Sequence, residues 1–125
     1  PTIIRRPEDT LPVLEAELSE LGYEKFIALA LNTKNHVTAV LPVSSGSLNA
    51  SIVHPRELFQ RAILANCASL ILAHNHPSGD PAPSPEDIAL TRKLIEAGLL
   101  LDIPVLDHIV LGCGRFVSFK ESGLL

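Results

Sequence analysis

The chain has 125 residues, 46% of them hydrophobic and 19% charged, which suits one compact domain with a real core and excludes wholesale disorder. A formal net charge of −4 without any Lys/Arg cluster argues against non-specific nucleic-acid binding, which depends on neutralising phosphates. No apolar run approaches the ~20 residues of a membrane span, and the opening stretch PTIIRRPEDT carries charges where a secretory leader needs apolar residues.

The chain begins with Pro1 and contains no Met, so an excised domain is expected. Residues 10–21 (TLPVLEAELSEL) place Leu11, Leu14, Leu18 and Leu21 at helical spacing, with Gly22 as the stop. Residues 24–31 (EKFIALAL) are short and nearly all apolar, the pattern of a buried strand. NTKN, 32–35, is a turn, and HVTAVLPV, 36–43, is the returning strand, with Pro42 near its end. SSGSLNA is read as a loop and SIV, 51–53, as a brief strand. Pro55 opens a helix through Asn66, since proline suits the first helical turn. SLILAH, 69–74, is an apolar strand ending at His74, and a Pro/Gly loop follows over 77–83. Residues 85–97 are a helix with Gly98 as C-cap. IPVLDHIVLG, 103–112, is a strand, Cys113-Gly114 a turn, and RFVSF the last strand. Interleaved strands and helices, with hairpins at both ends, predict an α/β fold on a mixed sheet. Cys67 and Cys113 form no C-x-x-C pair. Neither a zinc ribbon nor a redox motif is indicated, and reduced thiols in the cytoplasm are the expectation.

The stretch LAHNHPSGDPAPSPED, 72–87, carries the chemistry. Alternate residues of a strand face the same side, so His74 and His76 present two imidazoles together at a strand's C-terminal end, where open α/β sheets keep their ligand sites. Asn75 between them points away. Asp87 lies one turn into the next helix and can return to the same point. Two imidazole nitrogens and a carboxylate oxygen are a typical catalytic zinc set, leaving a fourth position for a water whose pKa zinc lowers to ~7. Such a site needs a proton shuttle that is not a ligand, usually a carboxylate. Ser84-Pro85-Glu86-Asp87 also has a purely structural reading as a helix start, with Ser84 as N-cap and Asp87 at the capping-box position. With 5 histidines in 125 residues, chance yields an H-x-H about 0.2 times; requiring Ser and Asp at two further fixed positions lowers this below about 0.001.

His74-x-His76, seven residues, Ser84, two residues, Asp87 resembles the JAMM signature of the JAB/MPN metalloprotease superfamily. LNTKNHV, GSLNASIVHPRELFQRAI, AHNHPSGDPAPSPEDIALTRKL and LDHIVLG resemble its RadC-like (UPF0758) branch over nearly the whole chain. The resemblance implies a single JAB/MPN domain over 1–125. Its fold would be α/β, with a curved mixed sheet flanked by helices, cytidine deaminase-like in architecture. It implies zinc as cofactor, held by His74, His76 and Asp87. Ser84 would position the water or stabilise an oxyanion, and an upstream Glu, matched best by Glu24, would shuttle the proton. Sequence alone does not select Glu24, since Glu57 and Glu86 also lie near motif elements. Lys25 and Phe26 follow it where well-studied JAMM peptidases carry Gly and Leu. Full-length RadC-like proteins carry a helix-hairpin-helix region upstream, which is expected to be absent here.

The leading expectation is therefore a zinc-dependent hydrolase of peptide or isopeptide bonds, with a polypeptide substrate and no membrane partner. Contact with DNA through this domain is not expected, and a homo-oligomer is left open. The alternatives are a non-catalytic interaction module that keeps the fold, and a DNA-repair-associated protein using its metal on phosphodiesters. The family's repair label finds no support in these residues. Asp107-His108 is either a pair that orients a metal ligand or a buried structural histidine.

Overall fold

The computed structural model describes residues 2–47 and 53–125. A 3-10 turn, Pro7–Thr10, leads into α1, Leu11–Leu18. Then come β1, Glu24–Leu31; β2, Val37–Ser47; α2, Pro55–Leu64; β3, Ser69–Asn75; α3, Pro85–Leu101; β4, Val105–Gly112; and β5, Arg115–Ser118. One five-stranded sheet has the order β2-β1-β3-β4-β5. β3 and β4 are parallel, the other pairs antiparallel, so the sheet is mixed, as expected. The parallel pair needs a crossover, and α3 supplies it.

β1 and β3 read as unbroken apolar runs because both sheet faces are covered. One face carries Phe26, Ala28, Ala30, Leu70 and Leu72 against Leu58 and Phe59 of α2 and Leu90 and Leu94 of α3. The other carries Ile27, Leu29, Ile71, Ala73 and Ile109 against Leu14 and Leu18 of α1. His74 continues the alternation of Leu70 and Leu72 and so arrives on the α2/α3 face.

Several boundaries differ from the sequence reading. α1 stops at Leu18, because Ser19 is extended (ψ 141°) and Glu20 takes a left-handed φ of 61°; Gly22 is not its terminator. α2 ends at Leu64, and Asn66 turns the chain with φ 54°. β2 continues through 44–47, read as loop, to Ser47. Pro42 sits inside it, opposite Ile27, which an edge strand tolerates because one side of its ladder is unpaired. Register breaks beside Phe26/Ile27 and Glu24/Lys25 leave Val43 and Gly46 as extra residues, so β2 bends as it nears the start of β1. The strand read at 51–53 lies mostly outside the described residues. β4 begins at Val105, after Pro104, and β5 ends at Ser118.

α3 passes through Gly98 and ends at Leu101, with Asp102 as the left-handed cap, φ 58°. Gly98 serves close approach: a Cβ there would lie 2.6 Å from the Ile103 carbonyl oxygen. That glycine lets the chain fold back against the helix, and Ile103 N–H donates to the Gly98 carbonyl at 2.9 Å.

Candidate metal centre

Three elements converge at one end of the sheet. β3 delivers His74, fully buried, and His76 lies one residue past the strand. The first turn of α3 delivers Asp87, 3% exposed. The start of β1 delivers Glu24, antiparallel to β3 in a register that pairs Phe26 with His74.

The histidine Nε2 atoms are 3.0 Å apart. His74 Nε2 is 3.4 Å from Asp87 Oδ1, and His76 Nε2 is 3.2 Å from Asp87 Oδ2. Ligands bound at ~2.0–2.2 Å around a tetrahedral ion stand about 3.3–3.5 Å from one another. The two imidazoles and the Asp87 carboxylate thus stand near the spacing of ligands around one metal ion, with Asp87 meeting each histidine through a different oxygen. Glu24 Oε1 is 4.0 Å from His74 Nε2, beyond that edge length. Glu24, His74 and His76 nonetheless place one ligand atom each within 4.8 Å of one another, so Glu24 borders the same space.

The capping and metal readings of Ser84-x-x-Asp87 coincide. Asp87 N–H donates to Ser84 Oγ at 3.1 Å, and Ser84 N–H donates to Asp87 Oδ2 at 2.8 Å. The cap holds the carboxylate in the orientation that faces both imidazoles. His76 is oriented separately: its Nδ1 donates to the Asp80 carbonyl at 2.9 Å, which leaves Nε2 free to bind. Its backbone N–H donates to Leu111 O at 2.8 Å. Gly79, φ 93°, lets that loop pass beside Cys113.

Electrostatics follow from these contacts. Burial works to raise the Asp87 carboxyl, but the neighbouring His74 and His76, together with the Ser84 N–H, outweigh it and hold the group far below the ordinary carboxylate range. The hydrogen bond to Asp87 raises His76 against the opposing effect of burial. Burial raises Glu24 above an ordinary glutamate, opposed by the neighbouring His74 and His76.

Asn75 points to the opposite face from the histidines, as expected, and there it holds Glu24's backbone. Lys25 N–H donates to Asn75 Oδ1 at 2.8 Å, and Asn75 Nδ2 donates to the Tyr23 carbonyl at 2.9 Å. The amide thus extends the β1–β3 ladder by one rung on either side of Glu24. A polar residue between the two histidines was the only sequence signal for this.

The Asp107-His108 pair divides. Asp107 accepts Ser118 O–H at 2.6 Å, His108 N–H at 2.7 Å and Lys120 N–H at 3.0 Å, tying β4 to the end of β5. His108 alone reaches the ligands: its Nε2 is 2.7 Å from His74 Nδ1, and its Nδ1 is 2.6 Å from Thr91 Oγ1. His108 is fully buried, stacked on Phe119 and edge-on to Phe26, and burial holds it well below the usual histidine range. Thr91 was not anticipated, although its place four residues after Asp87 puts it on the same helix face.

A groove of about 440 Å³ opens beside His76, between α1 and the β4–β5 turn, with Leu18, Asn75, Cys113, Arg115 and Phe116 among its walls. Among the described residues, no helix is long and apolar enough to cross a membrane.

Comparison with known proteins agrees with this arrangement. The RadC-like JAB domain family matches residues 4–124. A UPF0758 protein of Desulforamulus reducens is 56% identical over 123 residues, covering 98% of this chain and 54% of its own. One from Moorella thermoacetica is 54% identical over 124 residues, covering 99% and 54%. One from Methanosarcina mazei is 52% identical over 122 residues, covering 98% and 53%. The chain spans about half the length of these relatives. With its α/β fold and mixed sheet, and with the family matched from Ile4 to Leu124, the chain belongs to the RadC-like JAB domain family.

Proposed function

We propose that the domain is a zinc-dependent hydrolase that cleaves an amide bond, peptide or isopeptide, in a polypeptide substrate. The observation that carries this reading is the convergence of His74 Nε2, His76 Nε2 and the Asp87 carboxylate at 3.0–3.4 Å, with a fourth group, Glu24, standing back at 4.0 Å. Two neutral imidazoles and one carboxylate fit zinc by donor type and leave a coordination position open. When bound, zinc supplies Lewis acidity, polarising a carbonyl and making water acidic near neutral pH.

The chain's own residues supply the rest. Glu24, at β1's first position and raised by burial, takes a proton from the attacking water and returns it to the leaving amine nitrogen. Ser84 Oγ receives the Asp87 N–H, so its own O–H remains free to donate to the oxyanion that develops. Asp87 stands 3.2–3.4 Å from both imidazoles, through a different oxygen to each, while Glu24 stands back at 4.0 Å, which supports Asp87 as third ligand and Glu24 as proton shuttle. The net charge of −4 keeps DNA outside this reading.

Elemental analysis of the purified protein, followed by an amidase screen with Glu24→Ala as control, tests it. The expected result is about one zinc per chain and a hydrolysis that the variant lacks. Zinc without any Glu24-dependent cleavage would instead favour a metal-holding interaction module.

A further inference from the structure

We infer that Thr91 and His108 are positioning residues, linked to Asp87 and His74 in one directional hydrogen-bond chain that keeps the proton of His74 on Nδ1 and leaves its Nε2 lone pair for the metal. The inference rests on the proposed metal site and goes beyond its ligands.

The direction of the chain follows from counting protons. Thr91 Oγ1 stands 2.8 Å from the Asp87 carbonyl oxygen and 2.6 Å from His108 Nδ1. A carbonyl only accepts, so the single hydroxyl proton of Thr91 goes to Asp87. His108 Nδ1 must then carry a hydrogen and donate to Thr91 Oγ1. His108 is enclosed by Phe26, Phe119 and the neighbouring His74, and no carboxylate among the described residues forms a hydrogen bond to its ring. An imidazole so placed is neutral and carries one proton. That proton is on Nδ1, so Nε2 is an acceptor. At 2.7 Å from it, His74 Nδ1 must be the donor. The remaining nitrogen, His74 Nε2, faces His76 and Asp87.

One residue therefore serves both ends. Asp87 offers its side-chain carboxylate to the centre and its backbone carbonyl to the chain that orients His74. The first turn of α3 sets the third ligand and the tautomer of the first ligand together. Thr91 is 1% exposed and His108 fully buried, so water cannot replace either link. Partners of this kind typically change metal affinity 10–100-fold when removed.

Long-range ¹H–¹⁵N NMR of the ring nitrogens, on zinc-free protein, reads the chain without any metal or activity. The expected result is a hydrogen on Nδ1 and a bare Nε2 at His108, with a hydrogen on Nδ1 at His74. Thr91→Val keeps the side-chain shape but removes the acceptor of the His108 Nδ1 proton. His108 should then move its proton to Nε2 and displace the one on His74 Nδ1, and zinc affinity, measured by chelator competition, should fall about 10–100-fold. Thr91→Ser should restore both readouts. Thr91→Ala replaces the valine variant if thermal melting shows that one unfolded. An Nε2-protonated His108 in the wild type, or a valine variant with unchanged tautomers and unchanged zinc affinity, overturns the inference. Failure of the wild type to bind zinc overturns the metal-site reading instead, and the tautomers still decide the chain.

Discussion

Asp87 Oδ2 accepts the Ser84 backbone N–H at 2.8 Å and with the same oxygen stands 3.2 Å from His76 Nε2. A helix cap and a candidate metal ligand are thus one side chain in one rotamer. The helix start and the metal set do not compete, because a carboxylate accepts more than one hydrogen bond, and the one that Oδ2 takes from Ser84 N–H leaves the carboxylate facing both imidazoles.

Ser84→Ala should therefore act twice. It removes an N-cap, at about 1 kcal/mol of stability, and it loosens Asp87 while deleting the hydroxyl, so hydrolysis should also fall. Ser84→Asp should recover the cap and the melting temperature but not the rate. Recovery of both would reduce Ser84 to a cap alone.

The protein should bind about one zinc per chain, and His76→Ala should lose most of it by metal analysis. Metal and pH are coupled in a definite direction. In the zinc-free protein His76 has a raised pKa, so its stabilisation is fully present below the unfolded value of ~6.5 and is lost as pH rises through the raised value. Asp87, depressed, contributes stability above ~3.9 that is lost only as pH falls through its lower folded value. Zinc requires deprotonated imidazole. Melting temperature should therefore decline on the alkaline side without zinc, and the gain on adding zinc should grow over the same range. A zinc-induced shift that does not change with pH would contradict the assignment of His76.

Glu24→Gln should keep its zinc, because the closest donor set is His74, His76 and Asp87, and should lose hydrolysis by about 10²–10⁴-fold, the usual worth of general acid–base help. Loss of zinc in this variant would make Glu24 a ligand.

Asn75→Ala should affect Glu24 without touching the metal. Removing the amide leaves Lys25 N–H and Tyr23 C=O without their partner, a cost of about 1–3 kcal/mol for a group that stays buried. The Glu24 backbone is then free to shift, so the rate should fall more than the zinc content. Asn75→Asp can still accept from Lys25 but cannot donate to Tyr23, and should recover only part of the stability. Equal loss of zinc and activity would show that Asn75 supports the histidines instead.

The isolated domain should bind duplex DNA weakly or not at all in a salt-titrated assay at physiological ionic strength, given its net charge of −4 and the phosphate dependence of such binding. Sub-micromolar affinity at physiological salt would revive the DNA-processing alternative.

By itself the sequence determined the elements whose signals are local. The apolar runs of β1 and β3 announced strands covered on both faces. H-x-H at a strand end, with S-x-x-D at a helix start, pointed to His74, His76 and Asp87 as one set, because a period of two and a capping box each set side-chain direction within a few residues, and family resemblance joined them. Glu24 was legible only through family resemblance, since nothing near it distinguishes it from Glu57 or Glu86. Its place beside His74 depends on antiparallel pairing across about fifty residues of chain.

The ends of α1 and α3 were misread for a related reason. Gly22 and Gly98 look like stops, yet Gly98 lies inside α3 because the Ile103 carbonyl packs against it. The tertiary structure also separated Asp107 from His108, joined His108 to Thr91, and set Asn75 against Tyr23 and Lys25. Each of these is a buried polar group finding a partner on another element. Such pairing is decided only when the sheet and helices close and water is no longer available to satisfy the group.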